Sequence, residues 1–232
     1  MKRSEIDGYI DEFIAFMGER RFHPPPWAGW SPAEWAAAGP EAEEIRANQL
    51  GWDVTDFGLG EFARTGLTLL TLRNGTPGGA AGGKDYCEKV MMVREDQLTP
   101  CHFHFDKMED IINRGGGRLV IRLNKSTDDE QLDEAAQVRL QVDGIARTFP
   151  PGGELVLSPG ESVTLGPYLY HAFWGASGGG PVLVGEVSRV NDDQRDNRFL
   201  EALPRFPGIE EDAPARHCLC NEYPPGETTN VD

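Results

Sequence analysis

From Leu67 onward the chain consists of short apolar or alternating runs, each bounded by Gly, Pro, Asn or Asp. The runs are LTLLTL, YCEKVMMV, CHFHF, RLVIRL, VRLQV, ELVLS, SVTL, HAFW and PVLVGEVSRV. Their spacing is regular, and no helical pattern separates one run from the next. This arrangement predicts a mainly β protein with an antiparallel sandwich or barrel, because a parallel sheet would need helical crossovers between its strands.

Helical patterns are confined to the start of the chain. In SEIDGYIDEFIAFM the apolar residues recur at helical spacing, and Ser4 is the predicted N-cap with Asp7 three residues later. No linker-like stretch and no internal repeat divides the chain. We therefore predict one domain over residues 1–232, with a helical segment over 1–50 laid against a β-barrel over 52–224.

A second helix start lies in SPAEWAAA, where Ser31 is the expected cap, Pro32 takes the first helical position and Glu34 completes a capping box. The preceding HPPPWAGW is compatible with a polyproline ligand. A lone PPPW lacks the extended PxxP context, so we favour an ordered loop in which Trp27 and Trp30 pack on the core.

The charge balance narrows the choice of partner. The chain has 22 basic and 38 acidic residues and a net charge of −16, which argues against binding to nucleic acid or to an anionic membrane. A small neutral or cationic ligand fits better. The four cysteines show no framework spacing and no apolar run follows MKRSEID, so we expect a cytoplasmic protein without a signal peptide or membrane span.

One glycine-rich stretch resembles a phosphate-binding loop. In GGAAGGKD, over residues 78–85, Gly78, Gly83 and Lys84 stand at the right offsets, but Asp85 replaces the Ser or Thr that would hold magnesium. The following YCEKVMMV is typical of a strand, so the helix N-terminus that binds phosphate is missing. We interpret the stretch as a flexible hairpin loop.

Two of the five histidines lie one residue apart in CHFHF. Side chains at i and i+2 of a strand share a face, so His102 and His104 should point the same way. Glu109 follows a short turn, after which the next strand is expected to return antiparallel to the first. His171, on the strand HAFW, is the expected fourth ligand. Such a set suits manganese, iron, nickel or zinc, although a His-x-His pair alone is also common at surfaces and in satisfied cores.

The residues around these histidines resemble the two cupin motifs. The first motif is Gly, five residues, His-x-His, three or four residues, Glu, six residues, Gly; it is matched by His102, His104, Glu109 and Gly116, with Asp96 at the leading Gly. The second motif is matched at Gly160 and His171, while Gly166 and Tyr168 replace its Pro and Gly and Gly175 its final Asn. The resemblance implies a cupin fold, a double-stranded β-helix or jelly-roll barrel, with these four residues as metal ligands.

Longer strings narrow the resemblance. MEDIINRGGGRLVIRL, SPGESVTL, YHAFWG, LVGEVSRVNDD and LCNEY are similar to the D-lyxose isomerases, over most of residues 1–224. This resemblance implies a Mn²⁺-assisted isomerisation of D-lyxose to D-xylulose, with D-mannose to D-fructose in parallel. Aldose–ketose exchange moves a proton between C2 and C1 through a cis-enediol, so it needs an acid, a base and a group that stabilises an oxyanion.

Glu186 is our candidate for the proton shuttle, because a carboxylate on an apolar strand should have a raised pKa. Lys107 and Lys89 are candidate cationic partners, although a lysine in a turn is more often solvated. Glu210 or Glu211 is an alternative base that would close over the site.

Other polar and aromatic residues are candidates for contact with the sugar. Asp192, Asp193 and Arg195 could bind sugar hydroxyls or merely end a strand, and Tyr168 and Trp174 could stack on the sugar or pack in the core. The HCLC element offers His217, Cys218 and Cys220 but no fourth ligand, so we predict buried thiols rather than a second metal site.

Two other functions use the same ligands: a cupin dioxygenase with iron and oxygen, and a sugar-binding cupin without turnover. Ionisable residues near the site favour proton transfer on a polyol, because an oxygenase acting on an apolar substrate would have a more hydrophobic pocket. A homodimer is expected, since two-fold dimers are the commonest assembly.

Overall fold

The computed structural model describes residues 1–76, 79, 83–192, 195–204 and 206–224. Three α-helices come first: α1 (Arg3–Glu19), α2 (Pro32–Ala37) and α3 (Glu43–Ala47), with 3-10 turns at Pro26–Gly29 and Pro40–Ala42. The strands follow: β1 (Gly51–Thr55), β2 (Leu67–Arg73), β3 (Tyr86–Val93), β4 (Thr99–His104), β5 (Glu109–Gly116), β6 (Leu119–Ser126), β7 (Leu132–Asp133), β8 (Val138–Val142), β9 (Ile145–Phe149), β10 (Gly153–Leu157), β11 (Ser162–Leu165), β12 (Leu169–Gly175), β13 (Val182–Arg189) and β14 (Asn197–Phe199).

These strands form two antiparallel sheets. The larger sheet runs β1-β2-β3-β13-β5-β11-β8-β9, and the smaller runs β10-β6-β12-β4-β14 with β7 beside β6. Chain neighbours such as β4 and β5, or β12 and β13, lie in different sheets, which is the winding of a jelly-roll barrel. The expected mainly β cupin fold with N-terminal helices is confirmed.

The main hydrophobic core lies between the two sheets. It contains Leu69, Met91 and Ile111 from the larger sheet and Ile121 and Phe173 from the smaller one. A second core covers the outer face of the larger sheet, where α1 packs. Strand β2 is therefore buried on both faces, which explains why LTLLTL is almost continuously apolar rather than alternating.

Helix α1 is amphipathic as predicted, and Ile6, Ile10, Phe13 and Met17 are fully buried on its inner face. Its predicted N-cap was wrong. The helix begins at Arg3 with Lys2 as the N-cap, and the Ser4 side chain instead donates a hydrogen bond of 2.7 Å to Asp212. The reason is tertiary, because the chain near residue 210 returns to lie beside the start of the helix.

The capping box of α2 is confirmed: the Glu34 amide donates to the Ser31 hydroxyl, and Glu34 accepts from the Ser31 amide at 2.7 Å. Trp27 and Trp30 both pack edge-on against Trp35, as expected for an ordered loop. No helix in the described part of the chain is long and apolar enough to cross a membrane.

The glycine-rich stretch joins β2 to β3, which pair antiparallel. Because a strand follows it, the structure lacks the helix that a phosphate-binding loop requires. Gly78 and residues 80–82 of this stretch lie outside the described residues.

Candidate active site

Three histidines meet on the inner wall of the smaller sheet. His102 and His104 lie on β4, and His171 lies on β12 directly opposite His102 in the antiparallel register. The ring centroids of His102 and His171 are 4.2 Å apart. All three side chains are buried, and one ligand atom from each lies within 4.8 Å of the other two. The i, i+2 spacing on β4 therefore does place two imidazoles on one face.

Glu109 reaches the histidines from the opposite sheet. It opens β5, which pairs with β11 and β13 and not with β4, so the predicted antiparallel return beside β4 was wrong. The four-residue turn between the strands carries the chain across the barrel instead. Glu109 Oε1 lies 3.1 Å from His171 Nε2 and Oε2 lies 3.4 Å from His104 Nε2, so the carboxylate faces the imidazoles across the interior.

The outer nitrogen of each imidazole contacts a backbone carbonyl. The Nδ1 atoms of His102 and His171 lie 2.8 and 3.0 Å from the carbonyls of Pro100 and Leu169, and His104 Nδ1 lies 3.3 Å from that of Asp196. Because a carbonyl only accepts, Nδ1 carries the proton in the neutral ring and Nε2 presents a lone pair to the interior.

This arrangement fits a cation. The Nε2 atoms of His104 and His171 are buried without a hydrogen-bond partner among the described residues. Burial, together with His171 and His104, lowers the pKa of His102 well below its ordinary value. Burial and Lys107 likewise lower the pKa of His104. Neutral imidazole lone pairs therefore face the Glu109 carboxylate, an all-acceptor set that a divalent metal would satisfy.

A second group of charged side chains continues from Glu109 along the larger sheet. Lys107 Nζ lies 2.9 Å from Glu109 Oε2 and 2.9 Å from Glu186 Oε1. Lys89 Nζ lies 3.5 Å from Glu186 Oε1, across the β3–β13 register pair that places these two residues side by side. All four side chains are buried. The alternative that the lysines are solvated is therefore wrong.

The cationic neighbours of Glu109 and Glu186 keep both carboxyl groups ionised despite their burial. Burial opposes ionisation of Glu109, but Lys107 and His104 hold its pKa well below the ordinary value. Burial also opposes ionisation of Glu186, but Lys107 and Lys89 outweigh it and lower the pKa of Glu186. The prediction of a raised pKa for Glu186 was therefore wrong. It considered only the apolar residues of the same strand, whereas Lys89 on β3 and Lys107 in the turn before β5 lie beside the carboxylate.

The metal-ligand candidates and this charged group line one inner cavity. Its remaining walls are polar at Thr55, Thr99 and Asn197 and apolar at Phe57, Leu67, Leu69, Met91, Ile111, Phe173 and Phe199. An outer cleft of about 1390 Å³ opens beside it, and Lys107 borders both spaces. Asp192 and Arg195 line the outer cleft and not the inner cavity. Asp193 lies outside the described residues.

The two predicted aromatic contacts lie elsewhere. Trp174 sits on the face of β12 opposite to His171 and Phe173, where the Arg122 guanidinium lies 5.1 Å from its ring centroid. Tyr168 is half exposed and packs against Phe103. Strand alternation thus excludes Trp174 from the cavity, and Phe173 is the aromatic residue that lines it.

The acidic residues near the end of the chain are also remote from the cavity. Glu210 forms a β-bridge with Lys2, and Glu211 is bonded at 2.7 Å to the buried Arg3.

The HCLC element shows no sign of a second metal site in the described residues. His217 Nε2 lies 3.0 Å from Asp11, and Cys218 and Cys220 are buried as predicted. Within the described ranges, His102, His104 and His171 are the one group that could hold a metal ion.

Two important residues were missed by the sequence reasoning. The Asp196 carboxylate accepts hydrogen bonds from the backbone amides of Asp106 and Lys107, at 2.7 and 3.0 Å, and so fixes the turn that carries Lys107. Asn191 Oδ1 accepts from Lys89 at 2.6 Å. Both lie in NDDQRDN, where an abundance of polar residues after β13 was the only available signal.

The departures from the cupin motifs keep the backbone that the motifs require. Asp96 and Tyr168, which replace motif glycines, have φ of 54° and 57°. Gly116 has φ of 93°, and a Cβ there would lie 2.2 Å from the Pro181 carbonyl oxygen. Asp96 and Tyr168 thus adopt the left-handed conformation that favours glycine, and glycine itself stands at position 116, where a side chain would also collide.

Fold and site together define a cupin barrel that holds a buried glutamate beside three histidines, a group that could bind a metal ion. The D-lyxose isomerase family model matches residues 1–223. The chain is 50% identical to the D-lyxose/D-mannose isomerase of Serratia proteamaculans over 96% of this chain and 98% of that protein. It is 49% identical to the enzyme of the same name from Escherichia coli O157:H7, with the same coverage. This chain belongs to the D-lyxose isomerase family.

Solved structures agree on the fold. A crystal structure of an L-ribose isomerase mutant from Acinetobacter sp. DL28, in complex with L-ribose, superposes with a TM-score of 0.59. The superposition covers 90% of this chain and 98% of that chain at 15% sequence identity. At that identity the likeness concerns the architecture alone.

Proposed function

We propose that this protein is an aldose–ketose isomerase that interconverts D-lyxose and D-xylulose, and D-mannose and D-fructose. Two relatives that are 50% and 49% identical to this chain carry the name D-lyxose/D-mannose isomerase. The observation that carries the proposal is the buried group Lys89, Lys107, Glu109 and Glu186, which adjoins the three histidines. A dioxygenase or a simple binding module has no need of such an acid–base group.

Proton transfer is assigned to Glu186. Its hydrogen bonds from Lys107 and Ser188, at 2.9 and 3.0 Å, both reach Oε1, so Oε2 is the oxygen that exchanges a proton with the sugar. The ionised carboxylate removes the proton from C2. The electron pair of the broken C–H bond forms a C1–C2 double bond, and the π pair of the C1 carbonyl moves to O1. The resulting carboxylic acid returns the proton to C1, while a second proton moves from O2 to O1.

Lys107 is assigned to stabilise the negative charge that develops on the sugar oxygens, because its ammonium group lies between Glu109 and Glu186 at the mouth of the cavity. Lys89 is assigned to the bound sugar inside the cavity, and Asp192 and Arg195 to sugar hydroxyls entering through the outer cleft. Trp174 has no proposed role in sugar binding, because it packs against Arg122 and lines neither the inner cavity nor the outer cleft.

His102, His104, Glu109 and His171 are assigned to hold a divalent metal, and we propose Mn²⁺. The nitrogen and carboxylate donors suit a borderline-hard ion. When bound, such an ion acts as a Lewis acid that polarises the sugar carbonyl and hydroxyl oxygens. We also propose a single-domain cytoplasmic enzyme that assembles as a homodimer.

The test is an aldose panel assayed for ketose product, together with metal analysis of the purified protein. D-Lyxose and D-mannose should be converted, and Mn²⁺ should restore activity after chelation. In deuterated water, solvent deuterium should enter C1 of the ketose. Absence of turnover with every aldose would refute the function, and turnover without any label would refute proton transfer in favour of a hydride shift.

A further inference from the structure

The two cavity lysines share one neutral hydrogen-bond acceptor. Asn191, two residues after the end of β13, directs Oδ1 to Lys89 Nζ at 2.6 Å and to Lys107 Nζ at 3.5 Å. Lys89 Nζ is closer to this amide oxygen than to Glu186, which lies 3.5 Å away. Asn191 therefore holds the Lys89 ammonium group back from the carboxylate without adding a charge.

Asn191 is itself held by a second asparagine, Asn74, which directly follows the end of β2. The Asn191 amide donates to Asn74 Oδ1 at 2.9 Å, and Asn74 Nδ2 donates to the Asn191 carbonyl at 3.1 Å. The side chain of Asn74 thus replaces a strand neighbour and satisfies both backbone groups of Asn191. Only a primary amide offers a donor and an acceptor side by side, so Asp or Leu at position 74 could not make both bonds.

We propose that Asn191 is a positioning residue for the lysine pair, and that Asn74 acts through Asn191. The inference rests on the proposed isomerase function. Without the amide oxygen, the Lys89 ammonium group is drawn toward the Glu186 carboxylate, which lies 3.5 Å away. The carboxylate that exchanges the proton is then crowded by two cations, and the sugar meets a displaced lysine.

The test compares Asn191→Leu, which keeps the approximate shape, with Asn191→Asp, which keeps an oxygen for Lys89. Measured per folded, metal-loaded molecule, Asn191→Leu should lower kcat/KM about tenfold to a hundredfold, the scale of a misplacement near 1 Å. Asn191→Asp should recover most of that loss. A purely structural role would lower the Tm of both variants without this difference in turnover, and equal activity of Leu and Asp variants would overturn the proposal.

A double-mutant cycle tests the relay from Asn74. If Asn74 acts through Asn191, Asn74→Ala lowers kcat/KM in the native protein but adds no further loss to Asn191→Leu. Additive losses would overturn the relay. Asn113→Ala is the matched control: it removes an asparagine amide that likewise bonds backbone groups, here the Gly117 and Leu157 carbonyls at 2.9 Å each, but lines neither the inner cavity nor the outer cleft, so kcat/KM per folded molecule should not change.

A crystal structure of Asn191→Leu separates this proposal from the proposed function. Lys89 Nζ should lie closer to Glu186 than in the native protein, whether or not any sugar is turned over. If native protein isomerises no aldose and Lys89 still shifts, the function fails and the positioning role stands. If the native enzyme is active and Lys89 keeps its place in the variant, the positioning role fails.

Discussion

Each histidine of the cluster has one nitrogen committed to the backbone and one directed inward. The carbonyls of Pro100 and Leu169 lie two residues before His102 and His171 in the chain. The orientation of these two rings is therefore built into the strands that carry them. Loss of one ring would remove one of the three imidazole donors of the proposed metal site.

His171→Ala should lose the metal or reduce turnover by orders of magnitude, because three remaining ligands cannot hold the ion in an open geometry. Metal content by elemental analysis and kcat with D-lyxose measure the effect. His217→Ala is the control, since His217 bonds Asp11 far from the cavity and should leave both quantities unchanged. A His171→Ala protein with full metal content and full turnover would contradict the ligand assignment.

Glu186→Gln should keep the fold, the metal and sugar binding while lowering kcat about a hundredfold to ten-thousandfold, because the amide cannot accept the C2 proton. Glu154→Gln removes a carboxylate from an exposed pair with Arg122 and should not affect kcat. An undiminished rate in Glu186→Gln would exclude this residue as the base and direct attention to Lys107.

At the scale of elements, the important feature is the crossing from β4 to β5. These strands carry three of the four predicted ligands, and the turn between them carries Lys107. The turn has its amides tied down by Asp196, whose backbone carbonyl also contacts Phe105 and His104. A short segment after β13 therefore fixes the relation between the ligands of one sheet and the charged group of the other.

Asp196→Ala should lower kcat/KM about tenfold to a hundredfold, because Lys107 loses the anchor of its backbone. Asp196→Asn should fall between native and Ala, since it retains one of the two accepting oxygens. Asp143→Ala is the matched control: Asp143 also accepts two bonds, both from Ser162 at 2.8 Å, but at a turn remote from the cavity. Equal loss of turnover in both Ala variants would contradict the anchoring role.

At the scale of the whole molecule, two hydrophobic cores lie on opposite faces of the larger sheet, and only one of them surrounds the candidate site. The core between the sheets surrounds the site, whereas the outer core attaches α1 to β1, β2 and β3. The buried Arg3 also bonds both Glu211 and Glu222, so the described residues 207–224 are tied to α1. Stability and catalysis should therefore be separable.

Phe13→Ala should lower the free energy of unfolding by about 3 to 5 kcal/mol, because Phe13 is fully buried in the outer core. Its kcat per folded molecule should remain native. Ile111→Ala, which removes a side chain from the cavity wall, should reduce both. Urea denaturation and steady-state kinetics measure the two effects, and a large kcat loss in Phe13→Ala would show that the cores are coupled.

Metal binding should stabilise the folded chain as a whole, because the proposed ligands come from β4, β5 and β12 and meet only in the folded state. At a free Mn²⁺ concentration a hundred times Kd the gain is about 2.7 kcal/mol, or about 5 to 10 °C in Tm for a chain of this size. Thermal melts before and after chelation test this. A His171→Ala protein with the same metal-dependent shift would contradict it.

Local patterns in the sequence determined the helices and strands and the first two histidines of the candidate metal site. The helical spacing in α1, the capping box at Ser31 and the shared face of His102 and His104 all depend on residues within a few positions of one another, so periodicity alone predicts them. The short turn before Glu109 and the strand pattern around His171 added the other two candidate ligands, and the spacing of the cupin motifs then matched them. The domain limits, the bound metal and the dimer remain predictions.

Tertiary structure alone decided which elements meet. Glu109 faces the histidines from the opposite sheet, Phe173 rather than Trp174 enters the cavity, and Glu186 has a lowered pKa because Lys89 and Lys107 lie beside it. Asn74 and Asn191 are bonded although 117 positions separate them. Strand pairing and burial bring such residues together through contacts distant in the chain, and a periodic pattern carries no information about them.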